Sequence, residues 1–163
     1  MPKHSITRYA VDELVQARKF AGRTKQNTLD AHDPKQGELC LKVDIRRVDS
    51  PSIDLTLEFY GRVMKRGLTG VASTQYPSAS LLWHGKRIRG VDYKIKHEVV
   101  EGGIVVGVIK GWHEHYWTDL DEDEAIRELN PPLRNYDLKA VIAWCSEQWN
   151  IEGIAVMGSL FDE

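Results

Sequence analysis

Apolar and polar residues alternate along several stretches in the middle of the chain, the pattern of a strand with one buried face. Residues 39–46 and 53–59 both show it, with the turn sequence Asp49-Ser50-Pro51-Ser52 between them. Because successive side chains of a strand point to opposite faces, these two stretches predict a hairpin. Three more strands are predicted over residues 79–83, 87–97 and 104–117. Gly102-Gly103 predicts a tight hairpin loop between the last two strands, because glycine tolerates positive φ.

Helical spacing of apolar residues occurs near both ends of the chain. Val11 to Ala21 predicts a short helix, and a second helix is predicted from about Asp137, with one apolar stripe that reaches Trp149. Asp119 to Glu128 predicts a short acidic helix, and the polar residues 23–37 predict a mobile loop. We therefore expect a single α+β domain over residues 1–163. Its mainly antiparallel sheet has about five strands, with an N-terminal helix and a C-terminal helix packed on it.

Composition places the chain among globular proteins, with 42% hydrophobic and 28% charged residues. The most apolar run, Gly102 to Ile109, is too short to cross a bilayer, and residues 1–5 lack the apolar stretch of a secretory signal. Cys40 and Cys145 lie far apart, so reduced thiols fit better than a disulfide framework. We expect a cytoplasmic protein that does not contact a membrane.

Charge is distributed unevenly along the chain. Residues 1–110 carry 19 Lys and Arg against 12 Asp and Glu, whereas residues 111–163 carry 3 against 12. Such asymmetry is compatible with a basic face for a polyanion such as RNA beside an acidic face, and solubility alone also accounts for it. The acidic residues 119–124 lack the glycine and terminal glutamate of a calcium loop, so they favour an acidic helix start.

Candidate chemistry is concentrated in residues 110–117. Phosphate-loop, dinucleotide, nucleophile-elbow and His-Glu-x-x-His signatures are absent from the sequence. His113 and His115 are two residues apart, so on a strand both imidazoles project from the same face. Two such nitrogens can share a metal or divide the roles of acid and base. The alternative is structural, namely two half-buried histidines that hold an aromatic edge together.

The register of the last hairpin decides which residues join these histidines. A two-residue loop at Gly102-Gly103 places Asp92 opposite His113 and Gly90 opposite His115, so that Asp92, Lys94 and Lys96 share their face. A three-residue loop instead brings Arg89, Tyr93 and His97 to that face. We favour the two-residue loop. His97 then joins only through a bulge, which Gly90 or the turn at Glu98 could provide. We expect both imidazoles to be partly accessible to solvent.

A family resemblance covers roughly Arg89 to Asn150 and depends on five residues, which are Arg89, Asp92, His97, His113 and His115. Their arrangement, with a hairpin leading to the His-x-His segment and a closing helix, resembles the TumE-type toxins of bacterial toxin–antitoxin systems. The resemblance implies a small α+β ribonuclease-like toxin that an antitoxin protein neutralises.

Three functional hypotheses follow. The first is an RNA-cleaving or RNA-binding protein without a metal, in which His113 and His115 act as base and acid and Lys94 or Arg89 stabilises the charged phosphorane. The second is a metal-dependent hydrolase or metal-binding module, in which His113, His115 and either Asp92 or His97 bind zinc or another divalent ion. The third is a non-catalytic interaction or inhibitor protein that uses its acidic tail. The sequence does not predict the oligomeric state.

Overall fold

A single sheet dominates the computed structural model, which describes residues 6–29, 36–50, 54–65, 72–117, 125–133 and 138–154. The elements along the chain are α1 (Arg8–Gln16), β1 (Lys19–Leu29), β2 (Gln36–Arg47), β3 (Leu55–Lys65), β4 (Ala72–Trp83), β5 (Lys86–Glu101), β6 (Ile104–Tyr116), β7 (Ala125–Glu128), α2 (Leu138–Gln148) and β8 (Ile151–Glu152). The eight strands have the spatial order β7-β6-β5-β4-β3-β2-β1-β8. All neighbours are antiparallel except β1 and β8, so the sheet is mixed.

The predicted α+β fold with about five antiparallel strands was wrong. The five predicted strands correspond to β2 to β6, and the prediction missed β1, β7 and β8. Strand β1 has few apolar residues and no alternation, while β7 and β8 have only 4 and 2 residues. Such strands form because backbone groups pair with a neighbouring strand, a preference that the local pattern of side chains does not reveal.

Two segments predicted as other elements are strands. The predicted mobile loop over residues 23–37 is occupied by β1 up to Leu29 and by β2 from Gln36, and residues 30–35 lie outside the described part. The predicted acidic helix from Asp119 to Glu128 ends in strand β7, which pairs with β6. Residues 118–124 are likewise outside the described part.

Both helices contribute to the same apolar core as the sheet. Val11 and Leu14 of α1 and Val141 of α2 pack in one cluster with Leu57 and Val91 of the sheet. Burying a side chain of this size stabilises the fold by about 1.5–3 kcal/mol. No helix in the described ranges is long and apolar enough to cross a membrane.

Helix α1 is shorter than predicted, because the chain turns at Ala17 and enters β1 at Lys19. At its start, the Thr7 hydroxyl accepts a hydrogen bond from the Ala10 amide, as an N-cap residue does. At its end, the fully buried Lys19 ammonium donates to the carbonyls of Leu14, Val15 and Ala17 at 2.8, 2.7 and 2.6 Å. These bonds join the last turn of the helix to the sheet.

The β5–β6 hairpin has the register predicted for a two-residue loop. Glu101 pairs with Ile104 around Gly102 and Gly103, whose φ angles are 56° and 79°. Asp92 lies opposite His113, and Gly90 lies opposite His115. The register shifts between Lys94 and His97 and again between Val99 and Val100, and the two shifts offset one another. The pairing of β5 and β6 at the histidines therefore has the same register as the pairing next to the loop.

Candidate metal centre

Four polar side chains of β5 and β6 converge on one point of the sheet. The Nε2 atom of His113 lies 2.9 Å from Nδ1 of His97 and 3.2 Å from Nε2 of His115. The Asp92 carboxylate completes the group, with Oδ1 2.9 Å from His113 Nε2 and Oδ2 3.1 Å from His115 Nε2. One nitrogen from each of the three histidines lies within 4.8 Å of the others, a separation that suits a shared metal ion.

A bulge brings His97 into this group. His97 is five residues from Asp92, so an unbroken strand would turn it to the opposite face. Between the pairs Lys94–Gly111 and His97–Ile109, however, β5 has two residues and β6 has only Lys110. The extra residue reverses the alternation and returns His97 to the face of Asp92. The predicted need for a bulge is confirmed, but the bulge lies at Ile95 and Lys96 and not at Gly90 or in a turn at Glu98, the two predicted positions.

Gly111 fixes the orientation of His113. Its φ of 87° lies in the left-handed region, which a glycine adopts without a steric cost. The carbonyl of Gly111 accepts a hydrogen bond from Nδ1 of His113 at 3.1 Å. A carbonyl oxygen can only accept, so Nδ1 carries the proton and the neutral imidazole presents the lone pair of Nε2 to the cluster.

The cluster is more deeply buried than predicted. His113 is 0% exposed and His115 is 7% exposed, so the expected solvent access of these two imidazoles was wrong. The Asp92 side chain is 23% exposed and His97 is half-buried. The group therefore has a closed side formed by the two β6 histidines and an open side next to Asp92 and His97.

The surroundings favour the metal-binding forms of Asp92 and His97. Burial raises the pKa of the Asp92 carboxyl, but hydrogen bonds and positive charge from His113 and His115 in their protonated forms outweigh it and hold that pKa well below its usual range. Burial also lowers the pKa of His97, and the charge of Lys94 adds to the decrease. An ionised Asp92 carboxylate and a neutral His97 imidazole are the forms that these shifts favour and that bind metals.

The donor atoms fit a transition-metal ion. Asp92 Oδ1 is buried and has no hydrogen-bond partner among the described residues. It faces the Nε2 lone pair of His113, and two such acceptors are close without repulsion only when a proton or a cation lies between them. In a tetrahedral zinc site, Zn–N distances of about 2.0–2.1 Å separate neighbouring ligand atoms by about 3.3 Å. The contacts of 2.9–3.2 Å in this cluster are close to that value.

The other predicted site residues have different positions. Arg89 is buried on the opposite face of the sheet, where it pairs with Asp12 and lies 3.7 Å from Glu114, so it does not join the histidines. Lys94 is exposed beside His97, whose pKa its charge lowers. Lys96 is turned outward and pairs with Glu98 at 3.5 Å. Of the predicted cations, only Lys94 remains next to the cluster.

Sequence reasoning missed two residues that support the site. One is Gly111, for which the signal was a glycine two positions before a histidine within a strand. The other is Glu114, which lies between the two histidines but faces the helices. It accepts hydrogen bonds from Arg127 at 2.7 Å and from the Trp149 indole at 3.3 Å. These contacts anchor the strand segment that carries His113 and His115.

Comparison of the chain with protein-family models, with curated proteins and with solved structures found no match. The resemblance to TumE-type toxins therefore stays a prediction. Conclusions about function depend on the geometry of the cluster itself.

Proposed function

We propose that this chain is a metal-dependent hydrolase whose centre binds a divalent transition-metal ion, with zinc as the first candidate. The ligands are His97 through Nδ1 and His113 and His115 through Nε2, with the Asp92 carboxylate beside them and the fourth position left for water. Imidazole nitrogens suit zinc, iron and nickel better than calcium or magnesium, which prefer oxygen ligands.

The observation that carries this proposal is the convergence of three imidazole nitrogens beside a buried Asp92 oxygen that has no hydrogen-bond partner among the described residues. His113 donates its only neutral-form proton to Gly111, and its lone pair then faces His97, His115 and Asp92. One cation at the centre of the cluster satisfies all of these atoms together. Protonating the histidines instead would place positive charges about 3 Å apart in a buried site, which is costly.

The open side of the cluster supports a hydrolytic role over a purely structural one. Structural zinc sites are closed, whereas catalytic sites keep a position for water. A bound ion of this kind supplies Lewis acidity toward a carbonyl or phosphoryl oxygen and activates water near neutral pH. Within the chain, the Gly111 carbonyl orients His113, and exposed Lys94 offers a positive charge to an anionic substrate.

The same geometry argues against dividing acid and base roles between His113 and His115 without a metal. Their Nε2 atoms are 3.2 Å apart and both contact Asp92. The two nitrogens therefore point to the same position and do not lie on opposite sides of a substrate. Arg89, which was expected to stabilise the negatively charged phosphorane, lies on the other face of the sheet. RNA remains a substrate to test, because Lys94 suits a phosphodiester.

Metal analysis of the purified chain tests the binding step. We expect metal-stripped protein to bind one zinc ion per chain in calorimetric titration, and His97→Asn and His113→Asn to lose that binding. Asp92→Asn should reduce affinity by about 10–100-fold or more. His84→Asn is the matched control, because His84 is exposed, lies outside the cluster and has a positive φ that asparagine tolerates. Equal zinc binding by wild type and His113→Asn would overturn the proposal.

Activity assays test the hydrolytic step. Zinc-loaded and EDTA-treated protein are incubated with total RNA and with small phosphodiester and ester substrates. Hydrolysis that requires the metal and is lost in His113→Asn supports the proposal. RNA cleavage that persists in EDTA would favour the metal-free ribonuclease mechanism, and zinc binding without any hydrolysis would identify the cluster as a structural metal site.

A further inference from the structure

The far half of the β5–β6 hairpin exposes many apolar side chains. Ile104, Val105, Val106 and Val108 of β6 are 68%, 52%, 54% and 44% exposed, and Val100 of β5 is 56% exposed. Isolated exposed apolar residues are common on protein surfaces, but these are contiguous, and a contiguous patch usually marks an interaction surface. We refer to residues Ile104 to Lys110 of β6 as the β6 edge.

The β6 edge is an unpaired strand edge in the described part of the chain. Strand β7 pairs only with His113 to Tyr116, so the remainder of β6 has β5 on one side and no strand on the other. Natural proteins usually protect such an edge with charges, proline or shortness. The outermost strands β7 and β8 are short, but residues 104–109 contain no charge and no proline.

The exposed half of the hairpin carries positive charge at its base and negative charge at its tip. Lys94 and Lys110 lie near the base of the exposed half and Glu101 lies at the tip, while Lys96 and Glu98 between them pair with one another at 3.5 Å. Two antiparallel hairpins would therefore place the acidic tip of each beside the basic base of the other. Parallel hairpins would bring like charges together, which is unfavourable at short range.

We propose that the β6 edge pairs antiparallel with the β6 edge of a second copy of this chain, joining two sheets across a two-fold axis. An antiparallel pair of identical strands is self-complementary, as a closed two-fold dimer requires. The backbone hydrogen bonds supply the pairing, as in other cases of strand addition, and the β-branched side chains of both copies cover one another. This proposal is independent of the metal site.

Analytical ultracentrifugation of the full chain over a wide concentration range tests the association. We expect wild type to dimerise reversibly and Val106→Lys to weaken dimerisation by at least tenfold, because two added charges meet at the interface. Val48→Lys is the matched control, since Val48 is 58% exposed but lies in the turn after β2. Wild type that stays monomeric at every concentration would overturn the proposal, as would equal weakening by the control.

A charge exchange tests the antiparallel arrangement. Glu101→Lys and Lys110→Glu should each weaken dimerisation, and the double variant should restore it, because the opposite charges then meet again in reversed positions. Thermal unfolding of each variant checks that the fold is retained, and these exposed positions keep the test valid if Val106→Lys does not fold. A double variant that is no better than the single variants would exclude antiparallel pairing. Dimers that withstand all of these changes would show that another surface joins the copies.

Discussion

At the scale of single residues, the cluster depends on Gly111 as much as on its ligands. Gly111, with its positive φ, directly follows Lys110, the residue opposite the bulge at Ile95 and Lys96, and its carbonyl holds the ring of His113. One backbone conformation thus accommodates the register shift that admits His97 and sets the tautomer of His113. An added Cβ would lie 3.6 Å from Tyr93, an ordinary contact distance, so lack of space does not require a glycine here. The positive φ of the backbone does.

Substituting Gly111 tests this dual role. We expect Gly111→Ala to destabilise the fold by about 1–2 kcal/mol, the cost of a left-handed conformation for a residue with a Cβ, and to weaken zinc binding as the His113 ring is displaced. Chemical denaturation and calorimetric zinc titration measure the two effects. Gly107→Ala is the control, because Gly107 is in the same strand and a Cβ there would meet only Val99 at 3.9 Å. Identical behaviour of the two variants would contradict this account.

A second residue-scale prediction concerns Cys145. The thiol is fully buried in α2, and burial raises its pKa well above 9.0, with the nearby charge of Glu114 acting in the same direction. Because the thiolate is the reactive form, Cys145 should not react with a thiol reagent in the folded protein. The measurement uses Cys40→Ser, so that Cys145 is the only thiol, with and without denaturant. Rapid labelling of the folded variant would show that the helix opens readily.

At the scale of elements, the junction of α1 and β1 contains a buried cation. Burial lowers the pKa of Lys19 from 10.5 to about 7, with the charge of Arg47 adding to the decrease. Its three carbonyl acceptors match the three N–H groups of an ammonium, so hydrogen bonding compensates for part of the cost of burying the charge. Helix, turn and strand are thus coupled through one side chain.

This coupling predicts a pH dependence of stability. A lysine with a lowered pKa destabilises the fold while it is charged, and this cost is relieved as pH rises from about 7 toward 10.5. The free energy of unfolding of wild type should therefore increase with pH relative to that of Lys19→Met over this range. Urea denaturation at several pH values measures the difference, with Lys42→Met as a control at a lysine that is 46% exposed and pairs with Glu58 at the surface. A pH-independent difference between wild type and Lys19→Met would show that Lys19 has an ordinary pKa.

At the scale of the whole molecule, β6 contributes core residues to one face of the sheet and the histidine cluster to the other. Glu114 and Trp112 share the face of the core residue Val91, and His113 and His115 lie with Asp92 on the other. The core face holds the strand in place through the contacts of Glu114 with Arg127 and Trp149. The proposed metal ligands are thereby presented from a packed support, which is what a preorganised site requires.

Part of this arrangement could be predicted from local patterns alone. Alternation identified β2 and β3, turn residues marked out β5, β6 and the last part of β4, and the Gly102-Gly103 loop set the register that places Asp92 with His113 and His115 on one face. Both signals are local, because the two-residue periodicity of a strand and the geometry of a tight turn are properties of short segments. The sequence by itself therefore determined the central strands and three of the four residues of the cluster.

Tertiary structure alone decided the remaining features. Strands β1, β7 and β8 form by pairing with neighbours that are already in place, and their own residues do not alternate clearly enough to reveal it. The bulge that admits His97 and the complete burial of His113 depend on how strands and covering residues meet in space. Arg89 likewise lies away from the histidines because its position in the strand turns it toward Asp12 and the helices. Long-range backbone pairing and burial, which short segments do not encode, set these features.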